Sequence, residues 1–488
     1  MRLKFVFCAL VVLLGPGFSF AQSLQDPVKI GSITVQGSVR TRVYGWDWFQ
    51  DPSYENTYAY PGTLIRLSFS QQRNGFDWNF ELGAPVLLGL PKGAVAPSPQ
   101  GQLGLGANYL AANHNNQYTA MVFPKQAYIR FRNLGGSEGE SLQVGRFEFL
   151  DGSEVTPRNA TLATLKKDRI VQRLIGNFGF SDVERSFDGF HYVYSRPTLN
   201  FTALGAIPTR GVFQTDGWGW LHTGFLYTSL TGQVAPQGGN AGEWRVFGIY
   251  YDDWRHVLKT DNRSTALRQK DMGNIRLWTL GGHYLQTIDS PAGPLDFMSW
   301  SAFQTGSWGA LADRAGVFVG EAGVQPKVLK ALRPWLRAGY LYGSGDGNAV
   351  DNKHGTFFQL LPTPRPYARF PFFNMMNNED GFAELELRPS SIVAVRSDIH
   401  TLRLSSAGDL WYSGGGAFQP WTFGYTGRPS GGARSLATLY DSSVDFRVSR
   451  RASMGFYYGY AEGKSVIRHI YPAGSNGQLG FVEVNYAF

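Results

Sequence analysis

The last twelve residues of the chain, GQLGFVEVNYAF (477–488), decide its fold. Apolar and polar side chains alternate along this stretch, which is the pattern of a strand with one apolar face. One face carries Val482, Val484, Tyr486 and Phe488, and the other carries Phe481, Glu483, Asn485 and Ala487. An edge strand of a soluble protein would alternate in the same way. The remainder of the chain has to separate these two possibilities.

Upstream of this ending, the same period of two recurs in windows of about 9–11 residues, the length with which a tilted strand crosses a membrane. In one window Phe76, Trp78 and Phe80 alternate with Asp77 and Asn79. The pattern predicts eighteen strands, which lie near 28–44, 62–70, 75–85, 125–133, 141–149, 187–195, 198–207, 220–229, 243–252, 274–286, 294–305, 315–324, 334–343, 380–388, 391–404, 437–449, 452–461 and 477–488.

The segments between these strands alternate between long and short. The long link 45–61 is followed by the short link 71–74 and then by the long link 86–124. Two links on the short side, 230–242 and 325–333, are of medium length. Outer-membrane barrels have short periplasmic turns and long external loops. We therefore predict an all-β fold, a transmembrane antiparallel β-barrel of about 18 strands, which is wide enough to enclose an aqueous channel.

The composition supports a barrel over a soluble domain. Aromatic residues make up 15% of the chain and charged residues only 17%, whereas a soluble domain carries about 25% charged residues. Beyond the N-terminus no stretch offers the roughly 20 consecutive apolar residues of a membrane helix, so a spanning structure has to be a closed barrel. The net charge of +8 is not gathered into basic runs, and no nucleic-acid partner is expected.

The first 21 residues have the pattern of a secretory signal peptide. Arg2 and Lys4 precede a short apolar run, and Ser19 and Ala21 supply the small side chains that a signal peptidase requires. Cleavage after Ala21 would leave one barrel domain, 22–488, in the outer membrane of a Gram-negative cell. The single cysteine lies in the signal segment, so we expect no disulfide in the mature protein.

Charged residues on the polar faces of the strands are the candidates for solute contact. Arginine in a pore favours anions, and its planar guanidinium can bind a carboxylate through two hydrogen bonds. The alternative is that these charges pair across strands and only hold the wall together. The residues assigned to solute binding are Arg40, Arg42, Arg66, Arg130, Arg132, Arg146, Glu148, Arg245 and Arg396, and Arg276 and Asp188 are also predicted to face the lumen.

Aromatic residues near strand ends predict a girdle at the membrane interface, with Tyr44, Trp46, Trp78, Trp278, Trp335 and Tyr486 as its members. The chain has no nucleophile elbow and no metal-spaced histidine pair, so neither an enzyme nor a cofactor is expected. The oxygen-rich segment 344–355 could hold a calcium ion, but it lacks the closing glutamate of a calcium loop. We expect it to be an external loop.

Four segments resemble the alginate-export family of outer-membrane barrels: AYIRFRNL (127–134), LQVGRFEF (142–149), SFDGFHYVYS (186–195) and GYLYGSGDGNAVDNKHGTFFQLLPT (339–363). The resemblance spans most of 127–488 and implies an eighteen-stranded barrel that lets a polyanion leave the cell through an arginine-rich pore. Of the pore arginines of the family, the resemblance implies counterparts at Arg146 and Arg130. The chain departs from the family pattern in the mixed charge of its predicted lumen and in Phe147, where relatives often have a polar residue.

Three functions remain open. The first is a passive, anion-favouring porin for small solutes or acidic saccharides. The second is a dedicated exporter of an acidic polysaccharide. The third is a surface-binding or adhesive barrel with a blocked lumen, which inward folding of loop 150–186 or loop 344–379 would favour. The expected partners are outer-membrane lipid and lipopolysaccharide, the outer-membrane assembly machinery through the terminal Phe488, and an acidic polysaccharide.

Overall fold

A computed structural model describes residues 28–237, 240–363, 369–414 and 416–488. The predicted signal peptide, 1–21, lies outside the described residues. Within them eighteen strands form the barrel wall, and they are β1 (Ile33–Asp47), β2 (Thr57–Gln72), β3 (Phe76–Leu87), β4 (Phe123–Arg132), β5 (Glu140–Phe147), β6 (Phe187–Ser195), β7 (Leu199–Pro208), β8 (Thr223–Gln237), β9 (Asn240–Asp253), β10 (Ile275–Ile288), β11 (Leu295–Trp308), β12 (Leu311–Val324), β13 (Trp335–Gly343), β14 (Asn378–Leu387), β15 (Val393–Arg403), β16 (Ser435–Arg447), β17 (Ala452–Gly463) and β18 (Asn476–Ala487).

Each strand pairs antiparallel with the next strand along the chain, and β18 pairs with β1, so the sheet is closed. Val43 lies opposite Val482 at the seam, and Trp46 lies opposite Leu479. Closure removes both edges of the sheet, which leaves no unpaired strand to face hydrocarbon. The predicted eighteen-stranded antiparallel barrel is confirmed.

Side chains alternate between the outer surface and the interior along each strand. In β18, Val482, Val484 and Tyr486 are exposed on the outside, whereas Phe481 is buried inside. The faces predicted for the C-terminal stretch are therefore correct. The girdle assignment is wrong for three of its members: Tyr44, Trp46 and Trp335 are buried inside the barrel, because their positions have the inward parity of their strands.

The connections confirm the alternation of long and short links. One rim carries the segments 48–56, 88–122, 148–186, 209–222, 254–274, 309–310, 344–377, 404–434 and 464–475, and the opposite rim carries the turns, the start of β1 and Phe488. By the rule that long loops are external, the first rim faces outward from the cell. Two links are shorter than predicted: β8 and β9 extend to leave two residues between them, and a tight hairpin joins Trp308 to Leu311.

In the described part of the chain, the α-helices lie in the external connections, and the one 3₁₀ turn lies on the opposite rim. The helices are α1 (Leu105–Ala112), α2 (Ala160–Arg169), α3 (Thr265–Lys270) and α4 (Ser465–Ile470), and the 3₁₀ turn spans Leu134–Gly136. Among the described helices, none has the length and apolar character needed to cross a membrane. Short strands outside the wall are Val28–Ile30, Thr119–Ala120, Lys353–His354, Leu410–Gly414 and Tyr425–Pro429.

Candidate functional site

The lumen contains most of the residues predicted to contact solute. The neighbours of Arg130, Ile129 and Phe131, are exposed on the outer surface, which places Arg130 on the inner one. By the same alternation, the predicted arginines on β1, β2, β9 and β15 also point into the barrel. The predicted residues that face the lumen are Arg40, Arg42, Arg66, Arg130, Arg132, Arg245 and Arg396, together with Glu148 where the third external connection enters it.

The external connection 148–186, hereafter the crossing loop, runs into the lumen and binds one wall through Glu184. Glu184 Oε1 lies 3.2 Å from Arg40 Nη1 on β1. Its Oε2 lies 3.2 Å from Arg66 Nη1 on β2 and 3.5 Å from Lys125 Nζ on β4. Glu184 is almost fully buried. Through its three ion pairs it joins three strands and the crossing loop in a single charged network.

The middle of the crossing loop binds the opposite wall through cations. Lys166 Nζ at the end of α2 lies 2.5 Å from Glu243 Oε1 on β9. Arg169 Nε lies 3.0 Å from Glu321 Oε2 on β12, and Arg173 Nη2 lies 3.7 Å from Glu321 Oε1. Helix α2, which presents Lys166 and Arg169, is capped by Asn159, whose Oδ1 accepts the backbone N–H of Leu162 at 3.1 Å. The crossing loop therefore spans the lumen.

The connection 344–377 packs against the crossing loop inside the barrel. The Leu361 N–H donates to the Leu174 carbonyl at 2.7 Å, and the Gly176 N–H donates to the Leu361 carbonyl at 2.8 Å. Gln359 Nε2 donates to the Arg173 carbonyl at 2.9 Å. Both loops whose direction the sequence left open fold inward. Their buried apolar side chains occupy much of the lumen, and backbone hydrogen bonds join the two loops.

Several lumenal arginines lie closer to water than the carboxylates that hold them. The side chain of Arg130 is 39% exposed, and that of its partner Asp77 is 7% exposed. Arg66 is 24% exposed over Glu81 at 10%, and Arg396 follows the same order over Glu384 and Asp398. At these three positions the wall presents a guanidinium group to the solution and keeps a carboxylate beneath it.

Two predicted solute-binding residues are closed off from water. Arg42 pairs with Glu483 and donates to the Phe180 carbonyl of the crossing loop, and its side chain is 1% exposed. Arg245 pairs with Glu154 of the same loop at 3.0 Å, and its side chain is fully buried. For these two arginines the contacts agree with the alternative hypothesis, in which the charged residues form ion pairs that hold the wall together.

The lumenal placement of Arg146 is wrong. Val144 and Phe147 flank it in β5; Val144 is exposed on the outside and Phe147 is buried inside, so Arg146 has the outward parity. It forms a double hydrogen bond with Asp188 on β6, at 2.7 Å for each N–O pair, and Trp220 Nε1 donates to the same carboxylate.

Asp188 therefore also lies on the outside, and so does Arg276, which pairs with Asp252 at 3.3 Å. All three residues lie at the external ends of their strands, where pairing and the membrane interface make an outward charge tolerable.

The crossing loop contributes charged residues that are not among those predicted from the sequence. Lys166, Arg169, Arg173 and Glu184 lie in a segment assigned as a loop. The run KKDR (166–169) was a signal that this segment carries a cationic end. No pattern in the chain indicates that Lys166, Arg169 and Arg173 meet strand carboxylates more than 70 residues away, because that contact depends on the loop turning inward.

Burial shifts the pKa of acids in the crossing loop in different directions. Burial raises the pKa of Asp151 to about 6, although Arg245 opposes the shift. Burial would also raise the pKa of Glu154, but Arg245 and Tyr227 hold it down to about 2. Burial raises the pKa of Glu184 as well, against the effect of Lys125 and Arg40. The loop thus combines a firmly ionised carboxylate with one that titrates in mildly acidic solution.

A cavity of about 570 Å³ lies above the crossing loop on the external side. Its aromatic lining includes Trp46, Trp48, Phe178 and Phe213, and Arg428 reaches it from the connection 404–434. Arg428 already donates to the carbonyls of Gln100 and Gln102. Residues of the external connections form most of its lining, and the cavity is hereafter the external vestibule. In the described part of the chain, no group of three or more His, Cys, Asp or Glu side chains is arranged to hold a metal.

Comparison with known proteins agrees with this architecture. The family model described as "Alginate export" matches residues 112–463, and the resemblance seen in the sequence is confirmed. No curated protein matches the chain.

Solved structures share the fold over almost the whole chain. OccAB2 of Acinetobacter baumannii has a TM-score of 0.59 at 9% identity and covers 94% of this chain and 99% of its own. OccK9 (OpdG) of Pseudomonas aeruginosa has a TM-score of 0.59 at 8% identity, with coverages of 93% and 98%. OpdK of the same organism, solved with vanillate, has a TM-score of 0.52 at 10% identity, with coverages of 93% and 98%.

Proposed function

The chain belongs to the alginate-export family, and from that membership we propose that it is a passive outer-membrane channel for small anionic solutes, among them acidic saccharides. A porin-like barrel with its long loops outside is the setting for such a channel. The observation that carries the anion preference is the order of charges on the lumen wall. Arg66, Arg130 and Arg396 meet water, and their carboxylate partners lie beneath them.

The number of charges alone would not predict whether the pore prefers anions or cations, because each of these arginines has an acidic partner. A permeating ion comes closer to the exposed guanidinium than to the carboxylate beneath it, and the Coulomb energy falls with distance, so the nearer positive charge has the larger effect. Rings of exposed arginine favour anions in pores. A guanidinium that is already half engaged still has N–H groups to offer a passing carboxylate. We assign no catalytic role to the chain.

The test is single-channel current from the refolded protein in a planar bilayer with a salt gradient. We expect stable conductance with an anion-selective reversal potential. The variant Arg130→Gln/Arg132→Gln exposes Asp77 and should lower the anion-to-cation permeability ratio about twofold or more. Arg276→Gln, which removes an outward-facing arginine, is the matched control and should leave the ratio unchanged. Cation selectivity in the parent protein would overturn the charge-order argument.

Inward folding of the two loops favours a second function, a surface-binding barrel with a closed lumen. The crossing loop binds both walls, and 344–377 packs behind it. A correctly folded barrel that carries no current at any voltage would support this function and reject the passive channel. The external vestibule would then be the binding surface.

Export of a polysaccharide chain receives less support. A polymer would need the crossing loop to leave the lumen, which separates Glu184 from its three cations and Arg169 from Glu321. Leaving one partner of a buried ion pair without the other costs about 3–5 kcal/mol. Several such contacts would have to break together, and a small solute needs only a gap beside the loop.

A further inference from the structure

A group of charges on the outer surface of the barrel has no role in the lumen. Glu379 is an outward-facing residue of β14, since Asp380 and Phe382 have the inward parity. Glu379 lies opposite Tyr342 on β13 and opposite Arg403 on β15. All three positions are at the external ends of their strands. The connection 404–434 brings Arg434 to the same place.

One carboxylate holds two arginines here. Glu379 Oε2 accepts from Arg403 Nη2 at 2.5 Å, and Glu379 Oε1 accepts from Arg434 Nη2 at 2.5 Å. Tyr340 donates its hydroxyl to Glu379 at 2.6 Å, and Arg434 Nε donates to the Leu404 carbonyl at 2.8 Å. The two guanidinium groups are therefore held on the two oxygens of one carboxylate.

The arginines face the surroundings and the carboxylate does not. The side chains of Arg403 and Arg434 are 54% and 45% exposed, and that of Glu379 is 5% exposed. One positive charge remains without a counter-charge at this point. The outward pairs Arg146–Asp188 and Arg276–Asp252 are balanced one to one.

The same sector of the rim carries further cations. Arg314 on β12 is exposed with outward parity, and Lys353 is exposed beside it, since Lys353 pairs in register with Ala312. Neither forms an ion pair with a carboxylate of the described residues. Five neighbouring strands, β12 to β16, span about 19 Å at the spacing of a sheet. This sector of the outer surface is therefore net positive.

The depth of the cluster is set by the side chains below it. Tyr342 lies opposite Glu379, and Tyr340 lies two residues below it on the same strand; both are exposed on the outside, and exposed aromatics mark the interface of a membrane. Ile399, on the apolar band, precedes Arg403 by four residues, which is about 13 Å along a strand. Arg403 and Arg434 therefore lie at the level of the lipid head groups in the external leaflet.

We propose that Arg403 and Arg434 bind a phosphate group on the head of a lipopolysaccharide molecule in the external leaflet. Phosphate matches two fixed guanidinium groups because its oxygens accept the parallel N–H bonds that arginine offers. An anionic lipid also supplies the counter-charge that the protein lacks, as basic clusters near membrane surfaces commonly require. The site is on the outside of the wall and does not depend on what passes through the lumen.

The experiment counts lipid on the intact, refolded protein in detergent. Bis-phosphorylated lipid A is titrated into the protein and the complexes are resolved by native mass spectrometry. We expect at least one bound lipid A on the parent protein. The variant Arg403→Gln/Arg434→Gln should bind it about thirtyfold more weakly, the change that two arginines near a membrane surface would produce. Arg276→Gln is the control and should bind as the parent does.

Two further probes identify the chemistry. Dephosphorylated lipid A should bind the parent protein as weakly as bis-phosphorylated lipid A binds the double variant. Inorganic phosphate should compete only at far higher concentration than the lipid. Equal binding by the parent and the double variant, or by the two forms of lipid A, would overturn the site. If inorganic phosphate binds the parent protein as tightly as lipid A does, the assignment to a lipid is overturned. An unchanged circular dichroism spectrum and unchanged conductance show that the double variant is folded.

Discussion

Phe488, the last residue of the chain, closes the barrel on Gly37 of its first strand. Their backbones exchange two hydrogen bonds of 2.9 Å, one from the Gly37 N–H and one from the Phe488 N–H. The phenyl ring covers the Gly37 Cα, so that a Cβ at position 37 would lie 2.2 Å from the ring. Because Gly37 has no side chain, the terminal aromatic ring can occupy the space next to its Cα.

The variant Gly37→Ala should therefore weaken the seam, because the ring has to move away from the new methyl group. Overpacking of this kind costs about 1–3 kcal/mol. The measurement is guanidinium unfolding in lipid vesicles followed by tryptophan fluorescence. Gly381→Ala is the control, since a Cβ there meets nothing within 4 Å. Equal stability of the two variants would show that the ring does not contribute to closure.

Glu184→Gln should loosen the crossing loop. The change leaves Arg40, Arg66 and Lys125 without the carboxylate that joins them, and removing one partner of a buried pair costs about 3–5 kcal/mol. We expect larger and noisier single-channel currents and faster tryptic cleavage in the loop at Lys166 or Lys167. Asp216→Asn breaks an ion pair of which both members are 30% exposed, and it should change neither readout. Unaltered current in Glu184→Gln would mean that the loop is held by its other contacts.

Asp151 should make stability depend on pH. Its pKa is raised from 3.8 to about 6 by burial, so the folded protein binds this proton more tightly than the unfolded chain does. Its stabilising contribution is fullest below pH 3.8 and is lost as the pH rises to about 6. The shift corresponds to about 3 kcal/mol.

The measurement is the thermal midpoint in detergent as a function of pH for the parent and for Asp151→Asn. The asparagine can still accept from Leu174 N–H and Ile175 N–H, as Asp151 does. We expect the fall in midpoint between pH 4 and 6 to be smaller in the variant. Identical pH profiles would show that Asp151 does not titrate in this range. Glu154 acts in the opposite sense at lower pH, because its pKa is held down to about 2.

Arg245→Met should reduce stability without changing ion selectivity. Arg245 is fully buried and pairs with Glu154, so its removal leaves that carboxylate uncompensated at a cost of about 3–5 kcal/mol. A side chain that water does not reach cannot set the reversal potential. The test compares unfolding and reversal potential of Arg245→Met with those of Arg130→Gln/Arg132→Gln, for which we expect the opposite result. A selectivity change in Arg245→Met would show that the loop over Arg245 opens during conduction.

The wall of this protein could be predicted from local patterns. The strand ending in Val484 and Tyr486 alternates because one of its faces meets lipid, and that requirement repeats with a period of two along each strand. Loop lengths alternate because the two rims face different compartments. Both signals are carried by residues close together in the chain, so the strand number, the all-β class and the inward face of Arg40, Arg66, Arg130 and Arg396 follow from the sequence.

The wrong predictions for Arg146, Trp46 and Trp335 each have a local cause. Arg146 was assigned to the lumen because it is charged, although its parity with Val144 already indicated the outside. Trp46 and Trp335 were assigned to the girdle because they lie near strand ends, although their parity is inward. In each case residue type was given more weight than the alternation of the strand.

Sequence by itself determined the barrel, because a strand in a membrane has to satisfy its backbone and its two faces wherever it occurs. Only the tertiary structure decided what occupies the lumen. Glu184 reaches Arg40 across 144 positions of the chain, and Arg169 reaches Glu321 across 152. Such contacts depend on the direction in which a loop leaves its strand, and loops satisfy their backbones equally well in water or in a polar lumen. No periodic constraint therefore records that direction in the sequence.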